Sequence, residues 1–119
     1  MINLSIVFTL IFSHWIFDFI MQSDEEAKGK SSSNYWLLSH TFKYSILWFP
    51  IIMVLMCPYE AVIFVLVIFI AHTITDYFTS RLNTKLYNKG DIHNFFVSVG
   101  FDQVLHYVQL LLTYYYLTK

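Results

Sequence analysis

Apolar positions along this chain gather into four long blocks, separated by two extended polar connections and one short turn. The blocks run from about Asn3 to Gln22, Tyr35 to Cys57, Glu60 to Thr79 and Phe95 to Leu117. Each approaches the roughly 20 residues that a helix needs to cross a bilayer core. β-Branched and aromatic residues are common in all four. That does not argue for strands, because a segment inside lipid must satisfy its own backbone and a helix does so. The period-two alternation of a membrane-barrel strand is missing. The pattern predicts an all-α fold, a polytopic membrane protein with four transmembrane helices in an up-down bundle, forming one domain over residues 1–119.

The connections carry their own signals. Ser23-Asp24-Glu25-Glu26 fits a capping box and predicts a short surface helix. Ser31-Ser32-Ser33-Asn34 offers N-caps for the second block. Pro58 marks the tight turn between the second and third blocks, and Pro50 predicts a kink within the second. Arg81 to Asn94 reads as a second long polar loop, with a turn at Lys89-Gly90-Asp91 before the last helix. Tyr35, Trp36 and Tyr114 to Tyr116 suit interfacial aromatic belts.

Composition sharpens this picture. The chain is 57% hydrophobic and only 13% charged, about half the charge of an ordinary soluble domain, and its mean hydropathy is +0.56. A net charge of -1 and no groove-reading motif argue against a nucleic-acid partner. The lone Cys57 excludes an intrachain disulfide and reads as apolar filler. No Lys or Arg precedes the first block and no small-x-small cleavage site follows it, so the block reads as retained. Lys28, Lys30, Lys43, Arg81, Lys85 and Lys89 lie in or beside the two long connections, against Lys119 alone at the other side. The positive-inside bias then places those connections in the cytoplasm and both termini on the non-cytoplasmic side of an inner membrane. The lipid bilayer is the expected partner, with a homo-oligomer open.

Polar residues within the blocks are costly in hydrocarbon without partners. His14, Asp18 and Gln22 end the first; His40 and Lys43 begin the second; His72, Asp76 and Ser80 end the third; Asp102, Gln103 and His106 begin the fourth. An up-down bundle brings all of them to one depth. His14-x-x-x-Asp18 and His72-x-x-x-Asp76 each set an imidazole and a carboxylate one turn apart, and Asp102-x-x-x-His106 reverses the pair on an antiparallel helix. Helix bundles build metal sites from such inward side chains. The expected ligands are His14, Asp18, His72, Asp76, Asp102 and His106, with zinc or manganese as the divalent metal. One ion with supporting residues and two ions both fit. His40 and Asp102 are the expected acid/base groups. Lys43, Arg81, Gln22 and Gln103 are the expected substrate contacts, the first two as anion clamps. His93 reads as solvated, and Gln109 and Thr113 as bonds to a neighbouring helix.

These motifs resemble a small integral-membrane family of bacteria and phages known as domain of unknown function 3307. The resemblance is carried by His14-x-x-x-Asp18-Phe19-x-x-Gln22, His40, His72-x-x-x-Asp76 and Phe101-Asp102-Gln103-x-x-His106, in that order over nearly the whole chain. It implies a polytopic bundle with a shared polar centre. The combined reading favours a membrane-embedded, metal-dependent hydrolase acting on a lipid headgroup or phosphate compound. A proton- or ion-coupled transporter component, or a non-catalytic phage or defence membrane module, are the alternatives.

Overall fold

The computed structural model describes residues 2–119, and within them every element is helical. Helix α1 (Leu4–Trp15) continues without a break into a π-helical turn, Ile16–Ile20. Helix α2 (Asp24–Gly29) is short, α3 spans Asn34–Leu55, α4 Pro58–Asn88 and α5 Ile92–Leu117. Three of them, α3, α4 and α5, are long and apolar enough to cross a membrane; Leu4–Ile20 is an apolar helix of shorter length.

Local chemistry explains the ends. Ser23 Oγ accepts from Glu26 N while the Glu26 carboxylate accepts from Ser23 N, so the expected capping box starts α2. Ser33 caps α3, and α4 begins with Pro58 at its first position, where a missing N–H costs nothing. Gly90, at φ 82°, makes the turn before α5, and Asp91 caps that helix through Asn94 N. Two boundaries differ from the sequence pattern. Helix α4 runs nine residues past Thr79, to Asn88, because Arg81 to Tyr87 contains no Gly or Pro to stop it. The expected long loop is therefore mostly helix. α5 starts at Ile92 rather than near Phe95, at its Asp91 cap. α3 is one continuous helix through Pro50.

α4 packs along both α3 and α5, while α1 lies against α5 and its π turn against α3, which closes the bundle; α2 lies on α3. The inward stripe of each helix is apolar at one end and polar at the other. On α4 it reads Ala61, Phe64, Ile68, then His72, Asp76, Ser80; on α5 it reads Asp102, His106, then Leu110, Tyr114. The apolar half, with Leu10, Tyr44, Trp48 and Ile52, forms the packed core. Outside, the usual order is inverted: Phe8, Phe12, Val54, Leu66, Ile70, Phe78 and Phe96 are exposed, while four histidines and three aspartates are buried. An apolar surface around a polar interior suits lipid as solvent.

Two aromatic and cysteine assignments change here. Tyr114 belongs to the core instead of a belt, since the α5 stripe turns it inward, whereas Tyr115 and Tyr116 are exposed. Cys57 is exposed at the start of α4 and fills no apolar space, because Pro58 holds it at the turn.

Candidate metal centre

The π-helical turn is where the site begins. It holds one residue more per turn than an α-helix, and it carries Asp18 into the bundle, where the residue is 3% exposed. Asp18 Oδ1 lies 2.9 Å from His40 Nε2 on α3 and 3.5 Å from His72 Nε2 on α4. Asp76 Oδ2, one turn beyond His72, lies 3.2 Å from His72 Nε2 and 3.3 Å from His40 Nε2. Two carboxylate oxygens and two imidazole nitrogens thus surround one point, all within 4.8 Å of one another.

Three observations fit a divalent cation at that point. Zinc bound to nitrogen and oxygen at about 2.0–2.1 Å sets the edges of its ligand tetrahedron at roughly 3.3–3.4 Å, and the four close pairs here measure 2.9, 3.2, 3.3 and 3.5 Å. Asp18 Oδ1, His40 Nε2 and His72 Nε2 are buried and, although close, are not aligned as hydrogen bonds to any protein group. The charges present also suit a divalent ion when the imidazoles are neutral. Asp18, Asp76 and Asp102 face one ammonium, that of Lys30, whose Nζ is 3.1 Å from Asp76 Oδ2. With neutral imidazoles and ionised carboxylates this leaves two negative charges buried, the complement of one divalent ion.

Asp76 also reaches the other way. Its Oδ1 accepts from His106 Nε2 at 3.1 Å, and Asp102 Oδ1 is 3.2 Å from the same nitrogen. These three could themselves hold an ion. With the ion in the quartet, His106 serves to orient Asp76 by hydrogen bonding, as supporting residues do around metal ligands.

His14 stands apart. Its Nε2 donates to Gln103 Oε1 at 2.7 Å and its Nδ1 accepts from the Tyr44 hydroxyl at 2.7 Å. Both nitrogens are satisfied, and Asp18 Oδ2 is at 3.5 Å. His14 is thus brought to the cluster's edge and lies outside both potential ligand groups. Gln103 also donates to Asp102 Oδ2 at 3.2 Å, which links His14 to Asp102. His40, by contrast, is a member of the quartet.

The expected anion clamps point elsewhere. Lys43 Nζ bonds Glu26 Oε1 at 2.6 Å, and Ser39 donates to the other oxygen. Arg81 lies over the Tyr77 ring at 3.7 Å and donates to Tyr77 O and Asn34 Oδ1. Gln22 is half-buried with Oε1 unpartnered. Gln109 bonds Thr75 at 2.6 Å, as expected of a helix-to-helix contact, and His93 is exposed.

Three participants escaped the sequence reading: Lys30, Glu26 and Tyr44. Burial disfavours the Lys30 ammonium, but Asp76 and Asp18 outweigh it and raise its pKa. Burial likewise works against the Glu26 carboxylate, and Lys43, Ser23 and Ser39 overcome it, lowering its pKa to about 2. Tyr44 carried one signal, its place one turn after His40 on the same face.

A family model described as "Protein of unknown function (DUF3307)" matches residues 6–119. No curated protein and no solved structure matches the chain.

Proposed function

We propose that this chain, which belongs to the DUF3307 family, is a membrane-embedded metal-dependent hydrolase acting on a phosphate-containing substrate. Its bundle comprises four spans, with Leu4–Ile20 as the shortest, and the polar end faces the cytoplasm. The carrying observation is the quartet of Asp18, His40, His72 and Asp76, whose donor atoms all lie within 4.8 Å of one another, with Asp18 Oδ1, His40 Nε2 and His72 Nε2 buried and unpartnered.

A divalent cation held there supplies Lewis acidity, which activates water and polarises a phosphoryl or ester oxygen. The chain's own residues set the conditions. His106 holds Asp76 by its second oxygen. Asp102, with Oδ1 unpartnered and its side chain 10% exposed, is the group able to take a proton at the rim. Tyr44 and Gln103 hold His14 beside Asp18 and fix the wall of the site. The apolar core below closes the centre away from the opposite face.

The experiment is release of inorganic phosphate from short-chain phosphatidic acid by the purified protein. Turnover that a chelator removes, and that Asp76→Asn lacks, supports the reading. Chelator-insensitive turnover, or none with metal supplied, contradicts it.

A further inference from the structure

A cavity of about 420 Å³ opens beside the centre, between α2, the last turns of α4 and the first turns of α5. It falls within the size range of small-ligand sites. Lys28, Lys30, Ser31 and Asn83 line its polar side, and Phe95 and Val99 its apolar side. No carboxylate lines it, although eight acids are present in the chain. Lys28 makes no ion pair among the described residues, and Asn83 Oδ1 is buried without a partner. Lys30 belongs both to this wall and to the centre, through Asp76. Ser80, which also lines the cavity, sits one turn after Asp76 on α4.

We propose that this cavity is the substrate's phosphate subsite, that it takes the phosphate of an amphiphile, and that Lys30 hands the anion to the centre. Two ammonium groups with hydroxyl and amide donors, and no acid, select a compact anion. The apolar wall of Phe95 and Val99 suits the adjoining glycerol and acyl carbons. The position is right for a lipid headgroup, because the cavity lies at the polar end of α4, past the apolar block that ends near Thr79. Lys30 lines the cavity and its Nζ is 3.1 Å from Asp76 Oδ2, so a phosphate bound by it is one side chain away from the quartet. Lys43 and Arg81 are not among the residues that line the cavity. The inference takes its hydrolytic setting from the proposed function, but binding is measured without turnover.

The test is calorimetric titration of the full chain in uncharged detergent with three probes: inorganic phosphate, dihexanoyl phosphatidic acid as its non-hydrolysable phosphonate, and dihexanoylglycerol. Binding of phosphatidic acid, at least tenfold tighter than dihexanoylglycerol, is expected. Additional binding of inorganic phosphate would make the free anion sufficient; binding of phosphatidic acid alone would assign the site to lipid headgroups. Both support the subsite. Lys30→Met is expected to weaken binding at least tenfold, and Lys28→Ala, on an exposed side chain that leaves the bundle intact, at least threefold. Equal binding of dihexanoylglycerol, no binding of either phosphate, or full binding by Lys28→Ala and Lys30→Met overturns it. Metal content of the same samples separates the readings: a chain that holds metal but no phosphate loses this subsite and keeps its centre.

Discussion

Lys30 Nζ lies 3.1 Å from Asp76 Oδ2, although the two residues are 46 positions apart and belong to different parts of the bundle. The contact ties the polar connection after α2 to the middle of α4. It places the only ammonium of the centre on its open side. Removing one member of a buried ion pair costs about 3–5 kcal/mol, because the other charge is left alone. Lys30→Met is therefore expected to lower thermal stability in detergent most strongly when metal has been stripped, and less when divalent metal is present. Equal losses in the two states would show that the ammonium and the metal do not share a charge balance.

His14 and His72 occupy equivalent sequence motifs but have different surroundings. Tyr44→Phe removes the donor to His14 Nδ1 and is expected to cost about 1–3 kcal/mol, with metal content unchanged. His14→Ala is expected to retain metal as well. Elemental analysis of the two variants checks this, and loss of metal from His14→Ala would return that residue to the ligand set.

The Glu26 carboxylate, with its pKa lowered from 4.5 to about 2, makes a pH-dependent contribution. Its folded value lies below its unfolded one, so the contribution is complete above pH 4.5 and fades as pH falls toward 2. The groups facing it are Lys43 and Ser39 on α3 and Ser23 at its own cap. Glu26→Gln is expected to melt well below the parent at pH 7, with the gap narrowing steadily below pH 4.5. Melting curves of both proteins from pH 7 to 3 measure it, and a constant gap would contradict the assignment.

Gly29 sits against Trp36, and a Cβ there would come within 2.5 Å of the indole Cδ1. Gly29→Ala must push α2 off α3, at about 1–3 kcal/mol for overpacking. Lys30 follows directly in the chain, so the same change is expected to weaken phosphate binding and shift Trp36 fluorescence. A shifted spectrum with unweakened phosphate binding would show that the ring yields instead and α2 stays in place.

Much of the arrangement was legible because polar residues within apolar helices obey simple rules. Four apolar blocks and the helical period sufficed to bring His40, His72, Asp76, Asp102 and His106 to one end of the bundle. Asp18 was legible as a member, but the π turn that aims it was not, since nothing in Ile16-Phe17-Asp18-Phe19-Ile20 marks an extra residue per turn. His14 was grouped with His72 by symmetry of spacing, whereas the structure sets it between Tyr44 and Gln103. Its role depends on Tyr44 and Gln103, which approach from other helices and leave no mark in its local spacing. Lys30 and Glu26 lie in a segment that looks like an ordinary solvated loop. Only the packing of α2 onto α3 buries them, and the short capping box fixes where α2 begins without saying where it docks. The length of α4 was underestimated because polar residues at its end, although Arg81 to Tyr87 contains no Gly or Pro, look like loop when judged by hydropathy alone.

The claim on which all of this depends is that the quartet of Asp18, His40, His72 and Asp76 holds a divalent ion. Elemental analysis of the purified protein beside His72→Ala tests it most directly. About one divalent ion per chain in the parent, with little or none in the variant, is the result expected from a buried four-residue ligand group. A parent with no metal above the detergent blank, or a His72→Ala protein with undiminished metal, would contradict it.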